Sequence, residues 1–286
     1  MSLCTVHRRT RGNLGLLLKQ SPWTLHRTKR GLGELKPLFI AGPGRSGTTA
    51  LTMYLNEHPE VLVCRERFKW IPREEVKLEL FTFERIMDFE DGYERRDSGT
   101  RKKRHQAILV SKDFSKLRWV GDKVPGYTQT LPLLAQNNPG ARFLLTYRPV
   151  EEVAESTEAR SKNPNDFWLG GKDGFKVGIQ QWNKALRRMR DFLESEAGKN
   201  ALVVSYHDFF YRNEEFIPTI SRFLDIEFGE TVRRAWREAT RDFESTRRPK
   251  VALSKRHRRL IEKHADREVE AYILRRIEMQ RKGTCS

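Results

Sequence analysis

The chain has 286 residues, of which 37% are hydrophobic and 10% aromatic, enough to build the core of one large domain. Charged residues make up 33%, but apolar runs recur along the chain and exclude general disorder. The net charge of +17 at pH 7 indicates an anionic partner: a nucleic acid, a membrane surface, a polyanionic substrate or a multiply charged cofactor.

The first segment, residues 1–33, is rich in arginine and lysine and contains no acid before Glu34. We expect a solvated basic arm ahead of a domain at 34–286; an organelle transit peptide or a contact with an anionic surface is the alternative. The apolar run at 14–18 is too short to cross a bilayer, and no secretory cleavage pattern is recognisable. The sequence therefore predicts neither a transmembrane segment nor a secretory signal.

Cysteine usage points to a reducing compartment. The three cysteines are Cys4, Cys64 and Cys285. Their wide spacing matches no metal-ligand pattern, so free thiols are expected. We therefore expect a cytoplasmic protein without a bound metal.

Short apolar strands alternate with helical patterns along the chain. Strands are predicted at 37–41, 61–64, 142–147 and 201–206. Helices are predicted at 48–57, 149–160 and 213–224. Such alternation is typical of a parallel sheet covered on both faces, so we predict an α/β fold with a single P-loop-like domain.

The connecting segments carry further patterns. Helical spacing of apolar residues predicts helices at 74–90 and 175–195, and residues 94–105 have the composition of a basic polar loop. A final helix is expected to begin after a Ser254 cap. The apolar residues that this helix keeps for packing are Leu260, Ile261, Ile273, Leu274 and Ile277.

The turn after the first strand has the pattern of a phosphate-binding loop. In GPGRSGTT, the spacing G-x-x-x-x-G is met by Gly42 and Gly47, and a helix follows. Successive N–H groups of such a turn point into one concavity, where the helix dipole adds to the attraction of a phosphate. Thr48 stands where a nucleotide triphosphatase has lysine, and the nearest cation is Arg45. A plain glycine turn is the alternative, which the flanking strand, the helix and the paired threonines disfavour.

This loop, together with the HP pair at His58, resembles the 5′-phosphosulfate loop of the sulfotransferases, which use 3′-phosphoadenosine 5′-phosphosulfate (PAPS) as sulfuryl donor. The resemblance implies that Arg45 contacts the bridging and sulfuryl oxygens. It also implies a set of residues around the 5′-phosphate: Gly44, Ser46, Gly47, Thr48 and Thr49.

A second segment agrees with the first. FLLTYRPVEEVAES resembles the 3′-phosphate motif of the same family, with Arg148 at the end of a strand and Ser156 eight residues on. Arginine suits this role because its planar fork grips a phosphate through two hydrogen bonds. The resemblance also places Tyr206 near the adenine. Tyr206 belongs to a further segment, ALVVSYHDFFYRNEEFIPTISRFLDI, which is similar to the YEDL strand of the family and the helix after it. His207 replaces the usual acid of that segment and is read as structural. Ala50 replaces the adenine-stacking tryptophan of cytosolic members, so base packing must differ.

A late basic loop closes on the 3′-phosphate in this family. We prefer Arg247 and Lys250, in the arrangement of the glycan-modifying members. The RKG run at 281–283 resembles the arrangement of the cytosolic members and is the alternative.

Two residues are candidates for the transfer step. GDKVPGYTQ resembles a segment of bacterial and glycan-modifying sulfotransferases whose lysine reaches the transfer site, which implies this role for Lys123. Glu66 follows the second strand, where glycan-modifying members have a glutamate that acts as base; the catalytic histidine of cytosolic members has no clear counterpart. The alternative for Glu66 is a salt bridge with Arg65 or Arg67. The resemblance thus implies a metal-free transfer with Glu66 as base and Arg45 and Lys123 stabilising the leaving phosphate.

The acceptor is less constrained. The resemblance implies a hydroxyl or amine of a glycan or small metabolite, which can itself be anionic, and acceptor-site insertions are predicted at 67–118 and 161–178. Trp70, Phe167 and Trp168 are candidate stacking residues or simply packing. The competing functions are a P-loop kinase or nucleotide triphosphatase, which the missing lysine disfavours, and a nucleic-acid-binding protein, which is not expected because the aromatic residues lie mainly in apolar runs.

Overall fold

The computed structural model describes residues 35–88, 98–163, 173–246 and 253–283. The segment Leu35–Ser286 forms one compact unit. The predicted basic arm at 1–33 lies outside the described residues, as do four candidate side chains: Phe167, Trp168, Arg247 and Lys250. Among the helices that the structure describes, none is long and apolar enough to cross a bilayer.

A parallel sheet of five strands forms the centre of the described fold. Its strands are β1 (Lys36–Ala41), β2 (Val61–Arg65), β3 (Trp119–Lys123), β4 (Arg142–Tyr147) and β5 (Ala201–Ser205). They run in the order β2-β3-β1-β4-β5, and each neighbouring pair is parallel. This confirms the predicted α/β class, and it confirms the four predicted strands to within a residue or two at each end.

Helices cover both faces of this sheet. They are α1 (Thr48–Leu55), α2 (Phe83–Met87), α3 (Ser98–Val110), α4 (Leu131–Asn137), α5 (Val150–Ser161), α6 (Gly174–Leu193), α7 (Tyr206–Tyr211), α8 (Asn213–Leu224), α9 (Glu230–Thr246), α10 (Lys255–His264) and α11 (Arg267–Arg281). Because successive side chains of a strand point to opposite faces, Leu38 and Ile40 enter the core beneath α1 and α8, whereas Phe39 and Ala41 enter the core beneath α6 and α11.

The strand β3 has no counterpart among the predicted strands. Its sequence WVGDK contains only two strongly apolar residues, yet all five residues are buried. A Cβ at Gly121 would lie 1.8 Å from the carbonyl oxygen of Leu38, so only glycine allows β3 to approach β1 this closely. The polar residues Asp122 and Lys123 end this strand at the carboxyl edge of the sheet and are buried as well.

Three helical expectations need correction. The predicted helix at 74–90 is wrong: the segment makes two 3₁₀ turns, Arg73–Glu75 and Leu78–Leu80, before the short helix α2. Here the buried Arg67 guanidinium donates hydrogen bonds to the carbonyl oxygens of Arg85 and Ile86. The backbone of this segment therefore packs around the Arg67 side chain instead of forming one continuous helix.

The basic loop at 94–105 is also wrong from residue 98 onwards, where α3 begins. The buried His105 of this helix accepts a hydrogen bond from the Arg65 N–H at the end of β2, which ties the helix to the sheet. At the end of the chain, Ser254 caps α10 as predicted, through the N–H of His257. The helix ends before Ala265, and a separate helix, α11, follows, so the predicted single helix is wrong. Leu274 is 46% exposed, so its predicted packing is wrong as well.

Both edges of the sheet are closed by amide side chains. Asn56 exchanges two hydrogen bonds of 2.8 Å with the backbone N–H and carbonyl of Val63 on edge strand β2. Gln280 of α11 does the same to Val203 on edge strand β5, at 3.0 Å for both bonds. Each amide therefore occupies the position that a further strand would take and blocks edge-to-edge pairing.

Candidate active site

The glycine-rich loop joins β1 to α1 at the carboxyl edge of the sheet. Gly42 has φ of 149°, and a Cβ there would lie 2.2 Å from the hydroxyl oxygen of Thr146. Gly47 has φ of 89°, and a Cβ there would lie 2.9 Å from the ring of Tyr206. Between them, Arg45 holds a left-handed φ of 69°, a conformation that costs a non-glycine residue free energy and is common at functional sites. The loop is therefore held in one shape by its glycines and by the strand and helix around it.

Ser46 is committed to the loop itself. Its hydroxyl lies 2.5 Å from the carbonyl oxygen of Pro43 and 2.5 Å from the hydroxyl of Thr146 on β4, and the side chain is 1% exposed. Its N–H also donates to Pro43. The structure thus places this predicted ligand beneath the loop, where it braces the turn.

The paired threonines open helix α1. Because the first N–H groups of a helix have no partner within the helix, the start at Thr48 turns donors and the positive end of the helix dipole toward the loop. Thr49 Oγ1 accepts a hydrogen bond from Lys123 Nζ at 3.1 Å. The ammonium group of β3 therefore lies beside the start of α1, next to a loop in which Thr48 stands at the usual lysine position.

The second predicted motif meets the first, because β4 lies beside β1. Arg148 Nη1 donates to the carbonyl oxygen of Arg45 at 3.0 Å, and Arg45 Nε donates to the hydroxyl of Ser156 at 3.0 Å. The guanidinium of Arg148 also lies 3.9 Å from the ring centroid of Tyr206, at a cation–π distance. The structure thus gathers Arg45, Arg148, Ser156 and Tyr206 into one cluster.

Glu152 orients Arg148 and was not found by sequence reasoning. Its carboxylate lies 2.9 Å from Arg148 Nε and 2.8 Å from His207 Nε2. Burial opposes ionisation of Glu152, but the hydrogen bonds and charges of His207 and Arg148 outweigh it and lower the pKa to about 2. The sequence signal that could have identified it is the spacing of four residues between Arg148 and Glu152, the spacing at which side chains on one face of a helix are neighbours. His207 binds the same carboxylate that binds Arg148, so it contacts the arginine only through Glu152.

A buried lysine and a carboxylate form the other half of the site. Lys123 is 2% exposed, and its Nζ lies 2.9 Å from Glu66 Oε1; Lys69 Nζ lies 3.4 Å from Glu66 Oε2. Burial alone would raise the pKa of Glu66, but the attraction of Lys123, followed by that of Lys69, lowers it below the ordinary value. Glu66 therefore stands ionised at neutral pH, in contact with the cation that also reaches the phosphate loop.

One cavity of about 950 Å³ connects these groups. Nine of the predicted residues line it: Gly44, Arg45, Gly47, Thr48, Thr49, Glu66, Lys123, Arg148 and Tyr206. Ala50 lines it as well, and aromatic residues of α1, α7 and α9, among them Tyr54 and Trp236, form an apolar wall. The RKG run at 281–283, the alternative for closing on the 3′-phosphate, has its arginine at another site: Arg281 binds Asp208 at 2.6 Å beside a second cavity of about 180 Å³.

The cavity residues fit a donor with two separate anionic groups. The open space over Gly44, where a Cβ would meet nothing within 4 Å, leaves room at the loop, and the Arg148 cluster supplies a second cationic position. Within the described ranges, no group of three or more His, Cys, Asp or Glu side chains is placed to hold a metal ion.

This combination defines an α/β protein in which one cavity holds a phosphate loop, an arginine distant from that loop in sequence, and a lysine–carboxylate pair. The profile of the sulfotransferase family matches residues 37–230. The chain belongs to the sulfotransferase family, which confirms the resemblance seen in its motifs.

Curated relatives are members of the same family. Protein-tyrosine sulfotransferase A of Caenorhabditis elegans is 26% identical over 222 residues, which cover 72% of this chain and 54% of that protein. Protein-tyrosine sulfotransferase 1 of Danio rerio is 26% identical over 202 residues, which cover 70% of this chain and 56% of that protein. The chain thus spans about half the length of the curated relatives it matches.

A solved structure shares the fold. The sulfotransferase domain from the curacin biosynthetic pathway aligns with a TM-score of 0.50 and 15% sequence identity, over 80% of this chain and 96% of that domain. The likeness supports the architecture of the sheet and its helices.

Proposed function

We propose that this chain transfers a sulfuryl group from PAPS to a hydroxyl of an acceptor. Its membership of the sulfotransferase family supports the reaction class. The observation that carries the proposal is the position of Lys123 Nζ, 2.9 Å from the carboxylate of Glu66 and 3.1 Å from the hydroxyl of Thr49. One ammonium group therefore links the phosphate loop to a base.

When bound, PAPS supplies the activated sulfuryl group. The N–H groups around Gly47 and the hydroxyls of Thr48 and Thr49 would hold its 5′-phosphate at the start of α1. Arg148 and Ser156 would hold the 3′-phosphate, with Arg148 kept in place by Glu152. Arg45 belongs to the loop and contacts Ser156 through Nε, so its side chain would lie between the two phosphates.

Glu66 is the proposed base. It accepts the proton of the acceptor hydroxyl at its carboxylate, while Lys123 and Arg45 stabilise the negative charge that develops on the leaving phosphate oxygen. The ammonium of Lys123 is also what lowers the pKa of Glu66, so any movement of Lys123 from Glu66 toward that oxygen makes Glu66 a stronger base. The pair thus links charge stabilisation to proton removal.

For the acceptor we propose the phenolic hydroxyl of a tyrosine. The support is that the curated relatives named above are protein-tyrosine sulfotransferases. The cavity also has Arg160 and Lys184 in its lining, which favours an acceptor with negative charge near its hydroxyl. A glycan or a small metabolite is the acceptor class to compare with it.

The donor is tested by calorimetry with adenosine 3′,5′-bisphosphate, the product of the proposed reaction, against ATP with magnesium. We expect the bisphosphate to bind more tightly and Arg148→Ala to weaken it by about 10- to 100-fold, as for the loss of one charge-assisted phosphate contact. The exposed Arg188 on α6 is the matched control, and Arg188→Ala should leave binding unchanged. Tighter binding of ATP, insensitive to Arg148→Ala, would contradict the proposal.

The acceptor is tested by transfer of radiolabelled sulfate from PAPS to a tyrosyl peptide, to the same peptide with phenylalanine, and to an amino-sugar oligosaccharide. Label on the tyrosyl peptide alone is expected. Label on the oligosaccharide alone would keep the reaction and reject the tyrosine acceptor.

A further inference from the structure

Glu66, the proposed base, follows strand β2 at a turn with strained backbone. Strands β2 and β3 pair in register, with Cys64 opposite Asp122 and Arg65 opposite Lys123. The next residue, Glu66, donates its N–H to the carbonyl oxygen of Lys123 at 2.9 Å and then adopts a left-handed φ of 60°. A residue with a Cβ holds this conformation only when surrounding contacts determine it.

The carboxylate of Asp122 supplies those contacts. Asp122 is fully buried; its Oδ1 accepts the N–H of Arg67 at 3.2 Å and its Oδ2 accepts the N–H of Phe68 at 2.9 Å. These are the two residues directly after Glu66. Two successive N–H groups that converge on one anionic group form a backbone nest, so the carboxylate holds the whole turn.

We propose that Asp122 is a positioning residue for Glu66: its carboxylate binds the two N–H groups after Glu66 and thereby directs the Glu66 side chain onto Lys123. The catalytic meaning of this role rests on the proposed function, since it assumes that Glu66 is the base. A buried carboxylate is costly to retain, and here it accepts hydrogen bonds that a neutral amide cannot reproduce.

Other ionisable groups surround Asp122. Tyr127 donates its hydroxyl to Oδ2 at 3.3 Å from the 3₁₀ turn after β3, with Arg73 close to that tyrosine. The buried thiol of Cys64 faces it from β2, and Lys123 and Glu66 act on it from the functional edge.

Burial raises the pKa of Asp122 to about 6, against the opposing effects of the Phe68 and Arg67 N–H groups and Lys123. The pKa of Glu66 is lowered instead. On acidification Asp122 therefore takes up a proton before Glu66 does, and the turn loses its anionic acceptor while the base is still ionised.

The proposal is tested first in the wild-type chain, by following the amide resonances of Arg67 and Phe68 and the side-chain ¹³Cδ resonance of Glu66 against pH. We expect both amides to shift together with a midpoint near that of Asp122, about pH 6. The Glu66 carboxylate should titrate at a lower pH. Amides that follow the Glu66 titration, or do not titrate, would overturn the proposal.

The second test uses Asp122→Asn, which keeps the shape but offers an NH₂ group to one of the two N–H donors. We expect the Glu66 titration to move toward the ordinary glutamate value, because Glu66 is no longer held on Lys123. Tyr127→Phe is the matched control: it removes one hydrogen bond from the same Oδ2 but leaves both N–H contacts, and should leave the Glu66 titration in place. An unchanged Glu66 titration in Asp122→Asn would contradict the proposal whether or not the chain has sulfotransferase activity.

Sulfate transfer gives a separate readout. Asp122→Asn should lower kcat about 10- to 100-fold and leave binding of adenosine 3′,5′-bisphosphate within twofold. We expect the wild type to lose activity on acidification through about pH 6 and the variant to lack this acid limb. Wild-type binding without any transfer would reject the proposed reaction and leave the resonance tests of Asp122 decisive.

Discussion

Arg148 donates a hydrogen bond of 3.0 Å to the backbone carbonyl oxygen of Arg45, 103 positions earlier in the chain. The contact exists because β4 and β1 are neighbours, so that the residues following both strands meet at one edge of the sheet. It joins the phosphate loop to the arginine of the second motif, and it makes the shape of the loop depend on the residues that hold Arg148.

Glu152 should be needed for donor binding although it does not line the cavity. Glu152→Gln removes the carboxylate that fixes Arg148, and we expect affinity for adenosine 3′,5′-bisphosphate to fall about tenfold, or ~1.4 kcal/mol. Calorimetry measures this effect. Glu158→Gln is the matched control, because this carboxylate lies on the same helix and binds Lys162 and His257. An equal loss in both variants would argue against a specific role for Glu152.

The same carboxylate should make stability depend on pH. The pKa of Glu152 is depressed to about 2 in the folded chain, below the ordinary value of about 4.3. Its contribution is therefore present above pH 4.3 and is lost as the pH falls through about 2. Urea unfolding of wild type and Glu152→Gln at pH 7 and at pH 3 should show a difference in the free energy of unfolding that is smaller at pH 3. A difference that grows with acidification would contradict the assignment.

Two loop glycines should respond differently to alanine. Gly47→Ala places a Cβ 2.9 Å from the Tyr206 ring at a φ of 89°, so we expect a loss of about 1–3 kcal/mol in the free energy of unfolding. Gly44→Ala meets nothing within 4 Å and should fold with wild-type stability. Thermal unfolding compares the two, and binding of the bisphosphate to the Gly44 variant then reports whether the space over the loop is used by the donor. Equal stability of both variants would show that the loop relaxes around residue 47.

Removing the buried ammonium should affect both halves of the transfer site. Lys123→Met takes away the cation that bridges Glu66 and Thr49, so we expect kcat to fall by about 100- to 1000-fold, as for the loss of a preorganised charge. The pKa of Glu66 should rise toward its ordinary value in the same variant, because Lys123 is the main group that lowers it. The more exposed Lys69 lies farther from Glu66, at 3.4 Å, and Lys69→Met should give a smaller change in both quantities. A Glu66 titration that does not move in Lys123→Met would show that the ion pair is not formed in solution.

The Gln280 side chain, which binds the backbone of edge strand β5, should protect the chain against association through that edge. Gln280→Leu leaves the N–H and carbonyl of Val203 without the side chain that binds both, so we expect a loss of about 1–3 kcal/mol and a tendency to form dimers or aggregates through the exposed edge. Size-exclusion chromatography and urea unfolding measure these effects. Lys282→Ala, next to it on the surface, should change neither, and a monomeric, fully stable Gln280 variant would show that water replaces the amide.

Local pattern in the sequence was enough to predict much of the site. A strand, a glycine turn and a helix in succession, with Thr48 and Thr49 at the start of the helix, indicate a phosphate loop because the glycine spacing and the start of the helix are local features of the sequence. The strand-ending Arg148 and the helix that carries Ser156 follow from local spacing in the same way. Alternation of strands and helices likewise predicted the parallel sheet.

Tertiary structure decided what local pattern does not contain. The strand β3 has too few apolar residues to be recognised, and it is a strand because β1 and β2 pair with it on both sides and bury it. That pairing brings Lys123 to Glu66, 57 positions away in sequence. It also places Asp122 against the N–H of Arg67, 55 positions away, beneath the turn at Glu66. Hydrogen bonds of this range depend on which strands are neighbours, and the free energy that selects the neighbours comes from the packing of the whole core rather than from any one segment.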